Sequence, residues 1–318
     1  MVHTTKLDDP LTPASIYDSI AGTEEITTPI PAVFNGLEAW LTTNLKPGQA
    51  PSFTRIAADA NGVYEARLRD QATRLSYVRA DDAVANYAST RSSDMGLLPT
   101  LTSAAAGVRG IPALLVDRQG CGLRLPAERA QMKDAEAASR PFLTESYTFY
   151  SIFATPADAV GGIISTGHTA AQADGETFPL GWRFGFPDVN NGTLIYQHGP
   201  RGEQRIVIQR TLGDFKPTLV IGRGRKMASG QHEGVVTIIN QGVRSDDPFS
   251  FAYGRVDGGI GDLPEPAPHL GAQGPGVVIR PQYQRKITHY GAFSRYFSDG
   301  EVTGLYAALS RPEHGGAF

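Results

Sequence analysis

Cysteine is nearly absent from this chain: one residue, Cys121, stands among 318. That excludes an intrachain disulfide framework and a cysteine-built zinc cage, so stability must come from packing or assembly. No run of about 18 consecutive apolar residues occurs, and a membrane-spanning helix is not expected. The N-terminal stretch MVHTTKLDDPLTPASIYDSI lacks the basic segment and apolar run of an export signal, so the chain reads as soluble. A charge excess is missing too: 29 lysines and arginines against 32 acidic residues give a formal net charge of −3. The short basic tract GRGRK at 222–226 reads as a solvated turn, and a general electrostatic grip on nucleic acid is not supported. The seven histidines are dispersed without metal-ligand spacing, and no fixed-period repeat suggests a propeller or β-helix.

Glycine and proline, by contrast, are plentiful, at 36 and 22 residues, which disfavours long helices. From residue 52 onward short apolar or alternating runs are separated by turn residues. GVYEARLRD (62–70) alternates, with Glu65 and Arg67 on one side and Ala66 and Leu68 on the other. IPALLVD (111–117) and GLRLPA (122–127) flank RQGCG and predict a hairpin. SYTFYSIFA (146–154), GGIIST (161–166), GWRFGF (181–186), TLIYQ (193–197), QRIVIQ (204–209), TLVIGR (218–223), VVTIIN (235–240), FSFAYGRV (249–256) and VVIR (277–280) predict further strands. VNNGT (189–193) carries an Asn-Gly turn. Many short strands at this spacing predict an all-β sandwich, jelly roll or barrel.

Four segments depart from that pattern. Residues 1–48 are rich in proline and threonine and read as an N-terminal arm ahead of a main domain at 49–318. Asn35 and Glu38 have capping-box spacing, which predicts a helix over 36–44 with Leu37, Trp40 and Leu41 on one face. That helix either packs on the main domain or anchors the chain to a partner or to its own copies, through Phe34, Leu37, Trp40 and Leu41; assembly into a homo-oligomer, trimer or pentamer, is expected with the second. Residues 128–139 are helix-prone but mostly polar. GHTAAQADGETFPLG (167–181) and VDGGIGDLPEPAPHLGAQGPG (256–276) read as long loops, the second outside any core and therefore a candidate for function.

Familiar catalytic patterns are missing. GGIISTG (161–167) lacks the spacing of a serine nucleophile elbow, and GRGRKMASG (222–230) departs from both dinucleotide and P-loop patterns. The acidic clusters at 80–82, 133–136 and 245–247 read as turns or a solvated helix, and no strand carries a carboxylate pair at the spacing a retaining glycosidase needs. No enzyme activity and no cofactor are expected.

The chain's end is the most specific segment. ITHYGAFSR (287–295) predicts a strand with Ile287, His289, Gly291 and Phe293 facing one way. FSDGEVTGLYAAL (297–309) predicts a short helix: Ser298 as N-cap, Glu301 returning the bond, and Val302, Leu305, Tyr306 and Leu309 as its buried face. This strand, capped turn and LY helix resemble the end of the laminin-G-like, concanavalin A-like lectin/glucanase family, and the resemblance extends more weakly back to residue 52. It implies two curved antiparallel sheets in a jelly-roll sandwich. Members of the family bind glycans or proteins, or hydrolyse polysaccharides, and occur in phage tail or head fibres and in gene transfer agent spikes.

For this chain the resemblance implies a non-enzymatic adhesion protein on the surface of a phage-like particle, attached through its arm and recognising a cell-surface polysaccharide. A decoration protein binding only virion proteins and a glycoside hydrolase are the alternatives. Sugar recognition asks for an aromatic face beside planar polar groups, and the candidates are Trp182, Tyr253, Asp257, Asp262 and His269. Some relatives hold one rim calcium; Asp174, Asp246, Asp247, Asp257 and Asp262 are the residues available for it, and no motif fixes the set.

Overall fold

The computed structural model of the chain describes residues 37–43, 53–69, 87–117, 121–124, 146–157, 159, 161–165, 168–171, 177–180, 182–186, 193–198, 204–209, 212–229, 231–252, 269–271, 284–293 and 295–310. The strands are β1 (Leu37–Thr42), β2 (Phe53–Ile56), β3 (Tyr64–Arg69), β4 (Tyr87–Ser92), β5 (Thr100–Leu101), β6 (Leu114–Val116), β7 (Gly122–Arg124), β8 (Ser146–Ala154), β9 (Gly161–Ser165) and β10 (His168–Ala171). They continue with β11 (Thr177–Leu180), β12 (Trp182–Phe186), β13 (Thr193–His198), β14 (Gln204–Gln209), β15 (Thr218–Lys226), β16 (Gln231–Asn240), β17 (Val243–Ala252), β18 (His269–Gly271) and β19 (Arg285–Phe293). One helix, α1 (Asp299–Leu309), follows β19.

The strands form an antiparallel β-sandwich, the all-β class read from the sequence. An eight-stranded sheet runs β17-β16-β15-β8-β19-β6-β5, with β1 also on β19. A nine-stranded sheet runs β14-β13-β12-β9-β18-β7-β4-β3-β2. The last two strands enter the middle of the sheets, β18 between β9 and β7 and β19 between β8 and β6. Both sheets are therefore completed only by the final part of the chain, which makes the contacts long-range and the fold slow to nucleate.

The main core lies between the sheets. Phe184 of β12 meets Phe149 and Phe153 of β8 with ring centroids 6.4 and 6.2 Å apart. Around them Leu68, Leu123, Val220, Ile238, Leu270 and Tyr290 are buried. The eight-stranded sheet is buried on its other face as well, where Tyr150, Ile152, Leu219, Ile221 and Phe293 pack with Val302, Leu305 and Leu309 of α1. A strand covered on both sides needs apolar residues at successive positions, and β8 is buried from Tyr147 to Ala154 for that reason.

Aromatic rings of β8 lie over glycines of its neighbours. Phe149 is paired with Gly222, Tyr147 with Gly224 and Tyr150 with Gly291. A Cβ at Gly291 would come within 2.1 Å of the Tyr150 ring, and one at Gly222 within 2.0 Å of Phe149. These glycines provide space rather than backbone freedom. Gln241 and Gly242 do provide backbone freedom: both have positive φ (51° and 75°) and form the two-residue turn of the β16–β17 hairpin.

α1 begins as its sequence predicts. The Ser298 N–H donates to Glu301 Oε2 at 2.7 Å, and the Glu301 N–H returns a bond to Ser298 Oγ at 3.3 Å. Phe297, Val302, Leu305 and Leu309 are buried, with Tyr306 partly so. Thr148 of β8 ties this end down, its hydroxyl donating to the Arg295 carbonyl at 2.8 Å and accepting from the Phe297 N–H at 3.0 Å. Buried Arg223 donates to the Phe297 carbonyl at 3.0 Å and pairs with Asp299.

Several local expectations are overturned. Residues 37–42 form a strand on β19, not a helix, and Trp40 and Leu41 are buried in the chain's own body, on opposite faces of the sheet. β6 and β7 do not pair as a hairpin; they lie in different sheets. GRGRK at 222–226 continues β15, with Arg223 only 4% exposed, and is not a turn. Residues 245–247 lie in β17, an edge strand that tolerates charges and Pro248 because one side needs no ladder partner. Within 167–181, β10 and β11 pair as a hairpin, and within 256–276, β18 is a strand whose Leu270 is 2% exposed. In β19 the predicted alternation breaks at a bulge between Ile287 and His289, so Ile287 shares the core with Tyr290 and Ala292 while Phe293 faces α1. The helix-prone segment 128–139 and the strand predicted at 277–280 lie outside the described residues.

Candidate functional site

The nine-stranded sheet has one face in the core. Ala66, Leu68, Ala88, Leu123, Phe184 and Leu270 mark that face by their burial. Residues directly opposite one another across an antiparallel pair share a face, so strand register carries a face assignment from strand to strand. Starting from Arg183, neighbour of buried Phe184, the pairing runs to Ser165, then His269, then Arg124. Arg124 pairs with Ser89, Ser89 with Arg67 and Arg67 with Thr54. In the other direction Arg183 pairs with Gln197 and Gln197 with Arg205. One continuous register row of polar residues thus crosses the whole sheet, from Thr54 on β2 to Arg205 on β14. Thr54 is exposed, and Arg67 and Ser89 are half-exposed.

At the β2–β3–β4 end two arginines have acidic partners. The Arg67 guanidinium donates two bonds to the Glu65 carboxylate, at 2.7 and 2.9 Å. Arg91 reaches Asp59 at 2.8 Å. The N–H groups of Val63 and Asn61, with Arg91, hold the Asp59 carboxyl below its ordinary value. Toward the centre and the far edge, β7, β18, β9, β12, β13 and β14 contain Arg124, Arg183 and Arg205 and neither aspartate nor glutamate.

Among the sequence candidates, His269 stands at the middle of the row. Trp182, on β12, is paired with His198 and does not share the register row of His269. Tyr253, Asp257 and Asp262 lie outside the described residues, as does Phe34. Leu37 is paired with Phe293 in β1. Of the aspartates considered for a rim calcium, Asp246 is engaged by the Thr237 hydroxyl at 2.5 Å and by Arg244 at 2.9 Å; Asp247 is next to it on β17, and Asp174 lies outside the described residues. Among the described residues, no group of three or more histidine, cysteine, aspartate or glutamate side chains could hold a metal ion. The register that brings Arg124, Arg183 and Arg205 into one row joins distant strands, and no local sequence pattern signals it.

Comparison with known proteins adds no family. No protein-family model matches the chain, and no curated protein matches it. Among solved structures, the sialidase of Trypanosoma rangeli is similar over 96% of this chain at 12% identity and a TM-score of 0.49. This chain spans 39% of that sialidase's length. An alginate lyase from Aplysia kurodai is similar over 61% of this chain and 86% of its own, at 8% identity and a TM-score of 0.37. Tailspike protein 2 of the Escherichia coli O157:H7 bacteriophage CAB120 is similar over 65% of this chain and 26% of its own, at 13% identity and a TM-score of 0.35. These likenesses assign no activity to this chain.

Proposed function

We propose that this chain is a non-enzymatic carbohydrate-binding protein of the concanavalin A-like jelly-roll kind, serving as an adhesion module on a phage-like particle and recognising a cell-surface polysaccharide. The observation that carries the reading is the closing strand, capping box and docked helix on an antiparallel β-sandwich, the part of the sequence that resembles that family. Attachment to the particle falls to the segment ahead of β1, since Trp40 and Leu41 serve the chain's own core.

Printed glycan arrays test the reading. Retention of at least one bacterial surface polysaccharide is expected, with no release of reducing ends from it over prolonged incubation. Failure to bind any glycan would leave a virion-decorating role in its place, and release of reducing ends would make the chain a polysaccharide-processing enzyme.

A further inference from the structure

We propose that the part of the eight-stranded sheet left uncovered by α1, the outer face of β15–β17, binds an uncharged polysaccharide across the row Ser146, Arg225, Glu233 and Ser250. The inference rests on the glycan-binding reading above and adds to it the chemical class of the glycan and the face that holds it.

The helix covers only part of its sheet. On β15, Leu219 and Ile221 lie beneath α1, and Arg223, the next residue on that face, is still enclosed by its bonds to the Phe297 carbonyl and Asp299. Two residues further on the cover has ended: the Arg225 side chain is 51% exposed, against 5% for Arg223. Arg225 pairs with Ser146 of β8 and Glu233 of β16, and Glu233 pairs with Ser250 of β17, so these four share the helix-bearing face. Strands lie about 4.8 Å apart, which makes the row about 14 Å long. The edge strand β17 is uncovered along the same face. Arg244, opposite Ile239 of the cluster beneath α1, is followed at every second position by Asp246, Pro248 and Ser250, and all four are exposed.

Charge on this surface is balanced pair by pair. Arg225 donates to Glu233 Oε1 at 2.9 Å, and Arg244 donates to both oxygens of Asp246, at 2.9 and 3.1 Å. At the border with the helix Arg223 pairs with Asp299 and Arg295 with Glu301. An ionic polymer would set its charge against one member of every pair. Sugar hydroxyls, in contrast, donate to the carboxylates and accept from the guanidinium groups while the pairs stay formed. The Ser146 and Ser250 hydroxyls end the row with groups that do both. Apolar surface stands beside them: half-exposed Tyr296 lies against Arg225, whose guanidinium is 5.2 Å from the ring centroid, and Pro248 is exposed on β17. Exposed ion pairs contribute little to folding, so this row can be altered with the sandwich intact.

The test probes the full chain against a printed array of neutral and acidic bacterial surface polysaccharides. Retention on at least one neutral polysaccharide is expected, little weakened by added sodium chloride. On that polysaccharide the double variant Arg225→Gln/Glu233→Gln should bind about tenfold or more weakly. Arg91→Gln, which opens an exposed ion pair on the other sheet, should bind as the parent chain does. If the double variant proves unstable, Ser250→Tyr replaces it: a bulky residue at an exposed strand position is tolerated by the fold, obstructs the row, and should abolish retention. Retention of acidic polysaccharides alone, lost with salt, overturns the ligand class and leaves the glycan-binding reading standing. Retention of a neutral polysaccharide that ignores the row variants overturns the assignment of the face. A chain that self-associates, and that Ser250→Tyr makes monomeric without loss of glycan retention, makes this face a contact between copies and overturns the proposal. No retention of any glycan overturns both readings.

Discussion

The two sheets of this sandwich are packed differently. In the eight-stranded sheet both faces carry buried side chains, one against the partner sheet and one beneath α1, and even Arg223 and Arg285 are enclosed. In the nine-stranded sheet Leu123, Phe184 and Leu270 line the core, and Arg124, Arg183 and His269 are their immediate neighbours in sequence. The first sheet is held by packing on two sides, and the described packing of the second is the core between the sheets.

The largest effect is expected where the two sheets share a layer. Phe184→Ala removes the ring that meets Phe149 and Phe153 and should cost about 3–5 kcal/mol in denaturant unfolding. A loss below about 1 kcal/mol would mean the sheets are less interdependent than their packing implies. Next comes the doubly covered sheet alone. Gly291→Ala drives a methyl into the Tyr150 ring and should cost about 1–3 kcal/mol. The same ring is deeply buried, and burial raises the Tyr150 hydroxyl well above its usual value, only partly offset by the nearby Trp40 indole. It should therefore stay protonated in alkaline titration followed by tyrosinate absorbance until the protein unfolds.

A smaller effect belongs to the helix that covers this sheet. Ser298→Ala breaks the capping box and should cost about 1 kcal/mol. Burial alone would raise the Glu301 carboxyl, but the Ser298 N–H, the Arg295 guanidinium and the Ser298 hydroxyl together hold it below its ordinary value. Because the folded value is depressed, this contribution is complete above the ordinary carboxylate range and lost as pH falls through the folded value. Acid unfolding of a Glu301→Gln variant should be correspondingly less steep. A variant with an unchanged acid profile would remove the cap from the account.

The fold class was legible because turn residues and strand-length apolar runs recur throughout the chain, and the C-terminal cap was legible because its signals are local. Residues 37–42 were misread for a reason visible in the structure. Trp40 serves the face under α1 and Leu41 the inter-sheet core, so the strand shows no alternation and its spacing imitates a helix. Similarly, β6 and β7 are close in sequence but belong to different sheets, which no local pattern reveals. Of the residues proposed from the sequence for sugar recognition, His269 falls on β18 and Trp182 on β12, and Tyr253, Asp257 and Asp262 lie outside the described residues. Arg124 and Arg183 join the register row of His269 through pairings of β18 with β7 and β9, set by the whole topology rather than by any run of residues.

The most direct measurement is a printed array of bacterial surface polysaccharides probed with the full chain. Retention of at least one polysaccharide, with no reducing ends released from it, is the result expected. Retention of none would contradict the carbohydrate-binding reading.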